Sequence, residues 1–170
     1  MQNGLTWSDS SVTFGLVLFM KNLSSMAPRI LLVDDSKDGL LVRRTLLEEV
    51  GYTVHSAVNG EEGLKLFEAE TFDVVVTDYH MPRMDGLELI VRIRELKPGM
   101  GVILVSGFVE PLGLNEANTG ADAVIAKSAS EPANLLRAVK RLLNRVTRKP
   151  PGSQKAAPKT LAARVRASGQ

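Results

Sequence analysis

Val74-Val75-Val76-Thr77-Asp78-Tyr79-His80-Met81-Pro82-Arg83-Met84-Asp85-Gly86 carries most of the fold information in this 170-residue chain. It opens on a continuous apolar run, reaches an acid, and breaks at a proline and a glycine. A strand covered on one face alternates apolar and polar residues. A continuous run suits a strand covered on both faces, as in a parallel sheet. Asp85 stands three residues before Glu88, the cap-plus-three spacing of a helix start.

The pattern repeats outward from this stretch. Apolar runs occur at Arg29–Val33, Tyr52–Ala57, Asp73–Thr77, Gly101–Val105 and Ala123–Ala126. Helical periodicity fills the gaps. Leu40, Leu46, Leu47 and Val50 give one helix an apolar face, and Asn59 with Glu62 marks the start of another. Leu135, Val139, Leu142, Leu143 and Val146 recur at helical spacing near the end. Strand–helix alternation of this kind predicts an open α/β sheet with helices on both faces, in which ligands bind outside the carboxyl ends of the strands.

That edge is where the chemistry-bearing residues fall. Asp34 and Asp35 follow the first strand, Asp78 the third, Ser106 the fourth and Lys127 the fifth. Each alone is an ordinary surface residue; together they form a candidate site. Two carboxylates about 4 Å apart repel by roughly 4 kcal/mol at an effective dielectric near 20. Three clustered acids therefore require cations. Lys127 supplies one positive charge, and a divalent ion would balance the rest. Mg2+ takes oxygen ligands and usually binds through one or two carboxylates plus phosphate.

These motifs resemble those of response-regulator receiver domains. Ile30-Leu31-Leu32-Val33-Asp34-Asp35-Ser36 is similar to the family's first strand and acidic pair. The stretch from Val74 to Gly86 looks like its phosphoacceptor strand and following loop. Val102-Ile103-Leu104-Val105-Ser106-Gly107 resembles the strand carrying the switch hydroxyl, and Gly120-Ala121-Asp122 followed by Lys127 resembles the last strand and its lysine. The resemblance covers residues 29–146. It implies a flavodoxin-like, doubly wound five-stranded parallel sheet of order 2-1-3-4-5 with five helices. It further implies that Asp78 takes a phosphoryl group from a phosphohistidine. Asp34, Asp35, Asp78 and the backbone carbonyl of His80 would hold Mg2+, while Lys127 and Ser106 would contact the phosphoryl oxygens. The implied partners are a histidine kinase or histidine phosphotransfer protein and an unidentified downstream protein. Such a receiver catalyses only its own phosphotransfer and dephosphorylation. The alternative is a receiver-like scaffold that binds a partner without phosphorylation.

Two positions depart from the family pattern. Val124 stands where a Tyr or Phe is usual three residues before the lysine, and Phe108 beside the switch loop is a possible substitute or a plain surface residue. Ser128 follows the lysine in place of proline. A cis bond before a non-proline residue costs about 2.5–4 kcal/mol, so Lys127–Ser128 is either trans, with the lysine re-aimed, or a costly cis bond. His80, two residues after the acceptor, lies where family members tune phosphoryl lifetime. His55 falls inside the second strand as a structural residue.

Composition excludes several other classes. The absence of cysteine rules out disulfide scaffolds, thiolate metal sites and cysteine nucleophiles. The apolar run from Val12 to Met20 is too short for a span of roughly 20 residues, and no Lys or Arg within it or before it suggests a signal peptide. A cytoplasmic protein with no membrane span is expected. Residues 1–28 read as an unstructured extension, with Met26 a possible start, and residues 147–170 as a disordered basic tail. Residues 1–131 hold all 19 acids and 11 of the 21 Lys/Arg. The basic end, including Arg137, Lys140, Arg141 and Arg145 on the last helix, could meet an acidic partner, nucleic acid phosphates or anionic lipid, though a solvated face is the simpler reading. With no aromatic residue to stack on bases, the tail offers no support for nucleic-acid binding.

Overall fold

The structure is a computed structural model and describes residues 27–147. The expected N-terminal extension and basic tail lie almost wholly outside the described residues. The chain runs β1 (Arg29–Val33), α1 (Lys37–Glu49), β2 (Thr53–Ala57), α2 (Gly60–Ala69), β3 (Val74–Asp78), α3 (Gly86–Leu96) and β4 (Gly101–Ser106). It continues through α4 (Val109–Leu112), α5 (Glu116–Thr119), β5 (Ala123–Ala126) and α6 (Glu131–Thr147). The five strands form one parallel sheet of order β2-β1-β3-β4-β5.

The continuous apolar runs are explained by the two cores. Along β1, Ile30 and Leu32 point to one face while Leu31 and Val33 point to the other. Val74 and Val76 oppose Val75 in the same way, and Ile103 and Val105 oppose Val102 and Leu104. The first face is closed by Leu40 and Leu47 of α1 and by Leu135, Ala138, Val139 and Leu142 of α6. Phe67 of α2 and Leu89, Ile90 and Ile93 of α3 close the second. Burying each of these side chains fully contributes about 1.5–3 kcal/mol, so both faces must be apolar for the sheet to hold both helix layers.

The predicted helix starts are capped as their sequences require. The Asn59 side chain accepts the Glu62 N–H, and the Asp85 side chain accepts the Glu88 N–H. Among the described residues six helices replace the expected five, because the connection from β4 to β5 is split. Gly113, in left-handed conformation at φ 58°, ends α4 after one turn. Asn115 then caps α5 by accepting the Ala117 and Asn118 N–H groups. Val50 departs from the predicted apolar face of α1. It is the C-terminal cap, at φ −93° and ψ 7°, and is 51% exposed.

Candidate functional site

β1 and β3 lie side by side although α1, β2 and α2 separate them in sequence. Here the connections leave in opposite directions along the sheet, the topological switch at which doubly wound sheets bind ligands. Asp34 and Asp35 leave β1 at this point, and Asp78 is the last residue of β3. One ligand oxygen from each of the three carboxylates can be drawn from a group lying within 4.8 Å of one another. Asp34 and Asp78 are buried and Asp35 is exposed. Strand register brings in the remaining residues: Asp78 is level with Val105, and Ser106 with Ala126, the residue before Lys127.

Asp78 is held from both sides. Its Oδ2 accepts the backbone N–H of His80 at 3.2 Å. Lys127 Nζ lies 2.6 Å from the buried Oδ1 as an ion pair. Burial pushes the Asp78 carboxyl above its ordinary range and the negative charge of Asp34 adds to this. Lys127 and the His80 N–H oppose the rise without cancelling it. Gly86 allows this packing, because a Cβ there would lie 2.1 Å from the Asp78 carbonyl oxygen.

Lys127 reaches Asp78 through a trans bond to Ser128, since no cis peptide occurs among the described residues. Of the two alternatives for Lys127–Ser128, the trans bond is the one present. The Lys127 N–H donates to the Ser106 carbonyl at 2.9 Å, tying the lysine to the end of β4. Ser106 is 1% exposed, and its hydroxyl accepts the Phe108 N–H at 2.9 Å. Phe108 itself is 52% exposed, and Val124 packs half-buried against the second core. The His80 side chain is exposed. His55 lies with its Nε2 3.3 Å from Arg29 Nη2 and its ring edge-on to Phe72.

One residue at this edge escaped the sequence reading. Arg43, 6% exposed, pairs through Nη1 with Asp34 Oδ2 and through Nε with Glu131 Oε1 at 2.6 Å. Burial opposes its charge, but Glu131 and Asp34 outweigh that and hold the guanidinium protonated. Its signal was its place three residues after Leu40 and four before Leu47, on the buried stripe of α1. Because Arg43 and Glu131 offset one another in charge, the three carboxylates and Lys127 still leave room for a divalent cation. The donors are all oxygens, as a hard cation such as Mg2+ requires, and the approach of one oxygen from each carboxylate to within 4.8 Å of the others fits that role.

The comparisons with known proteins bear on the fold and the family. The family model described as response regulator receiver domain matches residues 30–140. A CheY-like receiver domain protein of Methanospirillum hungatei has a crystal structure 37% identical in sequence. The match covers 70% of this chain and 95% of that one, with a TM-score of 0.64. Response regulator protein TrrA of Thermotoga maritima, solved in complex with Mg(2+)-BeF, is 34% identical. That match covers 68% of this chain and 99% of that one at a TM-score of 0.63. Among the curated relatives, the virulence sensor protein BvgS of Bordetella pertussis is 36% identical over 140 residues, which are 78% of this chain and 11% of BvgS. The C4-dicarboxylate transport transcriptional regulatory protein DctD of Rhizobium meliloti is 36% identical over 104 residues, 61% of this chain and 23% of DctD. The doubly wound sheet and its acidic edge define a receiver-type domain. The chain belongs to the response regulator receiver domain family of two-component signalling. It spans only about a tenth to a quarter of the curated relatives just described. No helix among the described residues is long and apolar enough to cross a membrane.

Proposed function

We propose that this chain is a phosphoacceptor of a two-component phosphorelay, with Asp78 as the residue that is phosphorylated. The observation that carries the reading is the buried Asp78 Oδ1, which faces an ammonium group and stands among gathered carboxylates. In the transfer, an Asp78 oxygen bonds to phosphorus as the P–N bond of a phosphohistidine breaks, and the electron pair leaves on the imidazole nitrogen. Asp34, Asp35, Asp78 and the carbonyl of His80 would hold Mg2+, which when bound supplies charge neutralisation for the incoming phosphoryl oxygens. Lys127 holds the acceptor and takes up charge on one phosphoryl oxygen. Ser106 donates its hydroxyl to another, and that movement releases the Phe108 N–H and begins the change at α4.

Turnover is confined to phosphorylation and dephosphorylation of the chain itself, so it is a signalling protein acting through contacts. A histidine kinase or histidine phosphotransfer protein is the donor. Leu41 and Val42, exposed on α1 just beyond the acidic pair, offer it apolar surface. This chemistry implies a cytoplasmic setting. A second reading, a scaffold that binds a partner unphosphorylated, is favoured only by Val124, which lacks the ring of the usual aromatic. Incubation with Mg2+ and acetyl phosphate followed by intact-mass measurement separates the two. One added phosphoryl group supports the phosphoacceptor, and no adduct with any donor supports the scaffold.

A further inference from the structure

The two Asp34 oxygens are both engaged within the protein. Oδ1 accepts the Ser36 N–H at 2.7 Å, and Oδ2 is paired with Arg43 Nη1. The guanidinium is enclosed in this position. A Cβ on Gly39 would come within 2.8 Å of Asp34 Oδ2 and 2.9 Å of Arg43 Nη1. On its far side Arg43 meets Glu131, the first residue of α6 and four residues beyond Lys127. One buried cation therefore joins the acid after β1 to the helix that follows the lysine.

We infer that Arg43 is a resident counter-ion that sets the Mg2+ affinity of the acidic pocket, with Glu131 moderating its charge. The inference rests on the magnesium site proposed above. A fixed positive charge on Asp34 makes the pocket less attractive to a second cation, and this effect is strong because burial limits screening. Glu131 partly cancels the guanidinium charge and so favours metal binding from a distance. Were Arg43 instead chiefly an orienting partner behind Asp34, as hydrogen-bonding partners of a metal ligand commonly are, its removal would weaken binding. The charge effect and the orienting effect predict opposite outcomes when Arg43 is removed.

Calorimetric titration of the unphosphorylated chain with MgCl2 at constant ionic strength distinguishes them. Arg43→Met is expected to tighten Mg2+ binding by about fivefold or more, and Glu131→Gln to weaken it about two- to threefold. Arg43→Lys, which keeps the charge but loses the guanidinium fork, is expected to stay within about twofold of the unaltered chain. Weaker binding in both Arg43→Met and Glu131→Gln, or unchanged binding in both, overturns the inference. So does an Arg43→Lys affinity that matches Arg43→Met. Should Arg43→Met fail to fold, Glu131→Gln and Arg43→Lys still decide the matter. Absence of any Mg2+ binding by the unaltered chain overturns the magnesium site itself, an outcome distinct from altered variants of a chain that does bind.

Discussion

Lys127 Nζ lies 2.6 Å from Asp78 Oδ1, although a serine follows the lysine and the bond between them is trans. The lysine is aimed instead by its own backbone, whose N–H donates to Ser106 O, and by the register of β4 with β5. Lys127→Met removes the cation that opposes the upward push of burial on Asp78. The expected result is a fall in the acetyl phosphate reaction rate of about tenfold or more with the fold retained, measured by the time course of adduct formation.

The raised pKa of Asp78 gives its ionised form a stability cost. The native state binds this proton more tightly than the unfolded chain does. Stability therefore falls as pH rises from the unfolded carboxyl pKa through the higher folded one. Asp78→Asn is expected to raise Tm by a few degrees near neutral pH without Mg2+. The gain should shrink as pH falls toward the ordinary carboxylate range. Thermal denaturation followed by circular dichroism across pH checks both parts.

Asp122 has the opposite sign. Burial alone would raise its pKa, but the Val102 N–H at 3.0 Å, Arg94 at 2.7 Å and Arg145 at 3.2 Å together lower it. Its contribution is present above the unfolded pKa and is lost as pH falls through the lowered folded one. Asp122→Asn is expected to cost roughly 1–2 kcal/mol at neutral pH. In urea denaturation series, that cost should largely vanish under acidic conditions below the folded pKa.

Gly86 sits where the backbone of α3 passes the Asp78 carbonyl. Gly86→Ala places a methyl group 2.1 Å from that oxygen, so backbone must move. A loss of about 1–3 kcal/mol is expected, together with slower adduct formation because the acceptor itself is displaced. Unchanged stability and rate would show that the loop yields freely.

The sheet was legible because its central strands are apolar on both faces, and the helix starts because Asn59 and Asp85 carry their own caps. The site was legible because a parallel sheet sends the ends of β1, β3, β4 and β5 to one edge. Strand limits differed at Asp78 and Ser106, which pair as the last residues of strands rather than following them. The split after β4 depended on Gly113, whose left-handed turn is a local event inside a stretch with no strong apolar period. Arg43 was missed for a different reason. A buried cation is tolerable only with partners; Asp34 is nine residues away, but Glu131, which completes the pairing, lies 88 residues away.

Borohydride reduction of the phosphorylated chain, followed by peptide mass mapping, reads the acceptor directly, because an aspartyl phosphate is reduced to homoserine. Conversion at residue 78 and nowhere else is the expected result. Conversion at Asp34 or Asp35 with residue 78 untouched would contradict it.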